Sequence, residues 1–185
     1  MQTTRRQILT LFLISGAVTV TSLAGATPPN SAGKAHAVRP SPATLAALAR
    51  VDAWHLVTKA DAATLIGNTV LKSSQKQNKS FCFYVAMGDG LSHLMLMVRP
   101  GEGYRGAAGI STANYEIKPL TGFGDKAVML IDNQARRGGR SHLVLYLVKG
   151  KVRLDLMFDS LRIKPTAATI NTFKAIASKA ASRLP

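Results

Sequence analysis

Residues 92–98, Ser92-His93-Leu94-Met95-Leu96-Met97-Val98, place metal donors at every second position. On a strand, whose side chains alternate between faces, His93, Met95 and Met97 point to one side. A strand over 81–86, joined to 91–98 by a four-residue turn Met87-Gly88-Asp89-Gly90, sets Tyr84 opposite His93 and Cys82 opposite Met95. One face then gathers Cys82, His93, Met95 and Met97, a thiol, an imidazole and two thioethers suited to Cu(I). The same residues have a plainer use: methionine fills gaps in cores and free cysteine behaves as a small buried hydrophobe, so a layer packed on this face accounts for them equally well.

A second chemistry resides in Asn133-Gln134-Ala135-Arg136-Arg137-Gly138-Gly139-Arg140, read as an exposed basic loop. Arg136, Arg137 and Arg140 can fork onto phosphate or carboxylate oxygens, and the glycines let backbone approach an anion; a solvated turn is the alternative. Gly101-Glu102-Gly103-Tyr104-Arg105-Gly106 has the spacing of a dinucleotide fingerprint, with Asp125 beyond it. Its context argues for a flexible loop, because Pro100 interrupts the approach and no good helix former follows. Ser73-Ser74-Gln75-Lys76 has the serine-x-x-lysine spacing of acyl enzymes, but the companion Ser-Asp-Asn and Lys-Thr-Gly motifs are missing from the sequence. No catalytic residue is assigned, and a hydrolase assembled from distant positions stays as a third reading.

The element that organises the chain is the hairpin over 141–159, SHLVLYLVKGKVRLDLMFD, two alternating runs around Lys149-Gly150. With those two residues as the loop, Leu147 faces Val152, Leu145 faces Leu154 and Leu143 faces Leu156, giving one aliphatic face. The other face sets Tyr146 beside Arg153, Val144 beside Asp155 and His142 beside Met157. Ser92-His93-Leu94-Met95-Leu96-Met97-Val98 echoes Ser141-His142-Leu143-Val144-Leu145-Tyr146-Leu147, which suggests two similarly built halves of one sheet. Further strands are expected over 115–120, closed by Pro119, and 126–131, entered through Gly122-Phe123-Gly124-Asp125. Residues 71–80 read as a polar loop. Ser41 and Pro42 start one helix, Thr58 and Asp61 form a capping box for another that stops at Gly67, and Pro165-Thr166 start a long amphipathic one. The expected fold is α+β, a mainly antiparallel sheet of about six strands with N-terminal helices and a C-terminal helix on it.

The run 52–67 (DAWHLVTKADAATLIG), Phe81-Cys82-Phe83-Tyr84, Gly122-Phe123-Gly124-Asp125-Lys126-Ala127 and the Gly150 hairpin together resemble a group of small exported bacterial domains of unknown function, many of them lipoproteins. The resemblance implies a PsbP-like α/β/α sandwich. It also implies a cysteine where Trp54 stands, able to pair with the one at Cys82; Trp54 removes that pairing. It supplies no catalytic residues.

Arg5 and Arg6 lead into an uncharged apolar run, as in a twin-arginine export signal. Ala35-His36-Ala37 offers a cleavage site before Val38, and Ala24-Gly25-Ala26 an earlier one. The expected organisation is a signal peptide over 1–37 and one α+β domain over 38–185, periplasmic or secreted. Of 24 basic residues the signal removes Arg5, Arg6 and Lys34, leaving 21 against 9 acidic ones and a net charge of +12. Such charge draws a protein to anionic lipid headgroups and acidic polymers. Nucleic acid is disfavoured, because the few aromatics form no stacking series. Cys82 is the only cysteine, so no intrachain disulfide forms. The sequence therefore points to a non-enzymatic envelope protein that binds an anionic envelope component or a protein partner, with peripheral membrane contact, no cofactor and an open oligomeric state. A periplasmic Cu(I)-binding protein is the alternative.

Overall fold

A computed structural model of the chain describes residues 39–67, 70–72, 79–88, 91–106, 108 and 110–184. The chain divides into two units, Met1–His36 and Ala37–Pro185, and all that follows concerns the second. The export signal, both cleavage sites and Ser73 to Lys76 lie outside the described residues.

Capping sets the helices. Ser41 accepts from Thr44 N and starts α1 (Pro42–Ala49), and Asp52 accepts from Trp54 N to start α2 (Ala53–Leu56). Thr58 and Asp61 complete a reciprocal capping box on α3 (Lys59–Ile66). The strands are β1 (Val70–Lys72), β2 (Phe81–Ala86), β3 (Ser92–Pro100), β4 (Tyr115–Leu120) and β5 (Lys126–Asp132). A one-turn helix α4 (Asn133–Arg137) precedes β6 (Ser141–Lys149) and β7 (Val152–Ser160), and α5 (Ala167–Ser182) ends the domain.

The sheet is antiparallel throughout, in the order β1-β2-β3-β7-β6-β5-β4, so the fold is α+β with N-terminal helices and a C-terminal helix. The short edge strand β1 begins just ahead of the stretch expected to be loop and runs into it. Helix α4 occupies the expected basic loop because the Asp132 carboxylate accepts from both Gln134 N and Ala135 N, at 2.7 and 2.8 Å.

Core and open faces separate by strand alternation. Leu94, Leu96, Leu143, Leu145, Leu147, Leu154, Leu156 and Phe158 are buried under α1, α2, α3 and α5 through Trp54, Leu56, Leu65, Phe173, Ile176 and Ala180. At about 25 cal/mol per Å2 this single core dominates the stability. Asp61 joins α3 to α5 by accepting from Arg183 and Lys179 as well as Thr58. Burial opposes its charge, yet those donors hold its carboxyl well below the ordinary range. The opposite face carries a smaller cluster, Val128, Leu130 and Val144 with Tyr104, Ile110 and Met157, partly covered by the 101–114 segment. The described helices that build the core lie on one face of the sheet.

Both hairpins take a different register from the expected one. Five residues, 87–91, connect β2 to β3, so Cys82 pairs with Leu96, Tyr84 with Leu94 and Val85 with His93. That one-residue shift sends Cys82 to the core face, fully buried, away from His93, Met95 and Met97. In the β6–β7 hairpin the loop is Gly150-Lys151, with Gly150 at φ 59°, and Lys149 pairs with Val152. A two-residue shift keeps each side chain on its face but changes its neighbour: Tyr146 meets Asp155, Val144 meets Met157 and His142 meets Asp159. The β4–β5 connection is fixed against this hairpin by Gly124, where a Cβ would lie 2.6 Å from Val148 O. Asp125 adds a bond from Gly150 N to its carboxylate at 2.7 Å. Among the described residues, no helix is long and apolar enough to cross a membrane.

Candidate functional site on the open sheet face

The repeat between 92–98 and 141–147 has a structural meaning. Strands β3 and β6 flank β7 in matching register, so Ser92 and Ser141 both oppose Ser160, His93 and His142 both oppose Asp159, and Met95 and Val144 both oppose Met157. The open face is therefore a set of rows running across three strands: His93-Asp159-His142, then Met95-Met157-Val144, then Met97-Asp155-Tyr146. Side chains carried on rigid central strands keep these relations without help from loops.

In the first row one carboxylate serves two imidazoles. His93 Nε2 is 3.2 Å from Asp159 Oδ2, and His142 Nδ1 bonds Oδ1. The bond to Asp159 raises the His142 pKa above its ordinary value; burial opposes the shift and the nearby Asp132 charge supports it. Burial alone would raise the Asp159 carboxyl, but His142 and His93 bring it below the usual carboxylate range. The row lines a cavity of about 510 Å3 shared with Asp132, Arg140 and Leu161. The hydroxyls at this end are already committed: Ser92 and Ser160 bond each other at 2.7 Å, and Ser141 donates to Ile163 O. The arrangement can hold or pass protons, and offers no serine nucleophile there.

Beside the third row lies a cationic one, Arg99 opposite Arg153. Asp155, with 3% of its side chain exposed, receives Arg153 Nη2 at 2.8 Å and lies 3.1 Å from Arg99 Nε. The Arg153 guanidinium also lies over the rings of Tyr104 and Tyr146, 5.3 and 5.9 Å from their centroids. Burial pushes the Tyr104 phenol up to about 12, so it stays protonated. A cavity of about 420 Å3 opens here between the sheet and residues 103–106, 108 and 110, lined by Arg99, Arg105, Arg153, Tyr146 and Met157. Three arginines line it against one carboxylate, Asp155.

The segment roofing this cavity is the one that carries the fingerprint spacing, and its acidic residue has another task. Glu102 accepts from Ser41 N at 2.9 Å, from Ser41 Oγ at 2.6 Å and from Thr44 Oγ1, tying the segment to the start of α1. Those hydrogen bonds take its carboxyl down to about 2. Among the described residues, no helix begins between Gly106 and β4, so there is no helix N-terminus for a pyrophosphate.

Of the arginines expected to form one anion site, Arg136 pairs with Glu116 at 2.9 Å and lies with Arg137 beside Asn133, whereas Arg140 lines the His142 cavity. The structure divides these three between two places. His93, Met95 and Met97 do share a face; Cys82 does not. Sequence reasoning missed Arg99, Met157 and the His93-Asp159-His142 row, since each depends on which strands neighbour β7, and Arg105, which depends on how the segment after β3 folds back over the sheet. The echoed Ser-His dipeptides at 92–93 and 141–142 were the one available signal. No known protein family and no curated protein matches this chain, so its function has to be argued from these rows.

Proposed function

We propose that this is an exported envelope protein that binds the phosphate or carboxylate groups of an anionic envelope component, and that the contact is the Arg99, Arg105 and Arg153 cavity. The observation that carries the reading is the imbalance there: three arginines line a cavity whose one carboxylate, Asp155, is already shared between Arg99 and Arg153. Arginine suits the task because its planar fork matches two oxygens at once, and Arg153 is already oriented by two aromatic rings. The +12 charge of residues 38–185 supplies long-range attraction, and the cavity supplies the place where an anion stays. The Arg5-Arg6 leader with its small-residue cleavage sites supports a periplasmic or secreted address.

The test compares equal charge removed from different places in a protein spanning 38–185. Arg99→Gln with Arg105→Gln should weaken binding to phosphatidylglycerol vesicles about tenfold at about 0.15 M salt, where the screening length is roughly 8 Å. Arg136→Gln with Arg137→Gln should cost about twofold, the diffuse share. Equal losses in the two variants refute a defined cavity, and a larger loss in the second moves the contact to Arg136, Arg137 and Arg140.

A further inference from the structure

On the two neighbouring strands β3 and β7, methionine and leucine are divided between the faces. At the core-facing positions of β3 and β7 the chain uses Leu94, Leu96, Leu154, Leu156 and Phe158, all buried. At the open-face positions between them it uses Met95, Met97 and Met157, all partly exposed. Met95 and Met157 are direct antiparallel partners. A gap-filling role predicts methionine inside the core, as at Met129, which is 1% exposed. On the open face Met157 packs at the margin of the smaller cluster of Val128, Leu130 and Val144, and Met95 and Met97 stand beside it, half-exposed, outside that cluster.

His93 adjoins this pair. It sits two residues before Met95 on β3, and Asp159 sits two residues after Met157 on β7, so the four form a square on one face. The Asp159 carboxylate lies 3.2 Å from His93 Nε2, which favours the proton on Nε2 and leaves Nδ1 as the electron-pair donor. A carboxylate behind a histidine is the usual outer partner of a ligating imidazole. Across the square, neighbouring Cα atoms stand about 5 Å apart between strands and about 7 Å along them, within reach of unbranched methionine side chains converging on one point.

We infer that His93, Met95 and Met157 form a binding site for a soft monovalent metal ion, Cu(I), with Met97 as a further thioether at its edge. Thioether sulfur prefers Cu(I) to harder divalent ions. The donor set is one imidazole and two thioethers; among the described residues no three His, Cys, Asp or Glu groups are placed to hold a metal ion. The ion binds without change of oxidation state, and the neutral ligands need lose no proton. Met97 is the outer member because Arg99 Nη2 donates to its sulfur at 3.3 Å. Cys82, on the far side of the sheet, takes no part.

The experiment uses residues 38–185 with 13C-labelled methionine methyl groups, titrated anaerobically with Ag(I) as a redox-inert probe and then with Cu(I) against a competing chelator. One equivalent of Ag(I) should shift the Met95 and Met157 methyl resonances and leave Met129 in place. Met95→Leu with Met157→Leu, a swap that nearly conserves volume, should weaken Cu(I) binding about 100-fold or more, and His93→Gln about tenfold. Cys82→Ser, on the core face, should stay within about twofold, and Arg105→Gln, which removes a cation from the cavity that Met157 also lines, should not weaken Cu(I) binding although it weakens anion binding. Dissociation constants weaker than about 1 μM, unshifted Met95 and Met157 methyls, or loss of binding in Cys82→Ser would each overturn the assignment.

Discussion

Asp155→Asn separates the two jobs of the arginine cavity. In the native domain the carboxylate is 3% exposed and balances Arg153, whose side chain is 21% exposed, and Arg99, which is 49% exposed. Breaking a fully buried pair costs about 3 to 5 kcal/mol; with Arg99 half in water we expect about 2 kcal/mol, or a melting temperature lower by about 4 to 8 °C. Anion binding should move the other way. A carboxylate about 6 Å from a bound anion repels it by about 0.7 to 2.8 kcal/mol for effective dielectric constants of about 80 to 20. At this exposure about 1 kcal/mol is reasonable, so removing the charge should tighten binding about fivefold. Thermal unfolding read by circular dichroism and vesicle cosedimentation of the same preparation measure both quantities. Lower stability with tighter binding supports the cavity. Unchanged affinity would refute it, and a parallel fall in both would mean that Asp155 is needed to aim the arginines and that charge balance is not the governing term.

Asp61→Asn should destabilise the domain by about 2 to 3 kcal/mol, because charge-assisted bonds to a buried acceptor are lost while Arg183 and Lys179 regain some water. Since the folded pKa of Asp61 is depressed, its contribution is complete above the unfolded value near 4 and fades as pH falls below it. Urea titrations at a series of pH values should therefore show the mutant and parent converging in acid, and a gap that persists there would refute the assignment. Asp159→Asn should bring the His142 pKa down toward about 6.5, followed by imidazole proton resonances. The sign for His142 is opposite: its raised folded pKa contributes stability that is complete below about 6.5 and is lost as pH rises through the folded value. An unmoved His142 titration would show that Asp159 is not its partner in solution.

Much of the local structure was legible in the residues. Ser41-Pro42, Thr58 with Asp61, and Thr166 start helices because side-chain oxygens accept from the first free amides, an interaction confined to three or four neighbouring positions. Strand alternation likewise marked Leu143, Leu145, Leu154 and Leu156 as one face, and Gly150 marked a turn. Asp132 was available as a cap for α4, but the basic, glycine-rich stretch after it read as loop. Both signals were local; the second was outweighed by composition.

The sequence by itself determined the antiparallel α+β architecture, the caps and the pairing of His93 with Met95 and Met97 on one side of a strand. Only the tertiary structure decided what lies beside them. Whether four or five residues connect β2 to β3 is a small difference in turn energy, yet it places Cys82 on the opposite face from the thioethers, because side chains alternate with a period of two. That β7 sits between β3 and β6 involves strands about 60 residues apart in sequence, and no local preference encodes it. The hydrophobic core selects that order by burying Leu94, Phe158 and Leu143 in one row beneath α5. The His93-Asp159-His142 row, the Met95–Met157 pair and the meeting of Arg99 with Arg153 on Asp155 then follow on the opposite face from the same register.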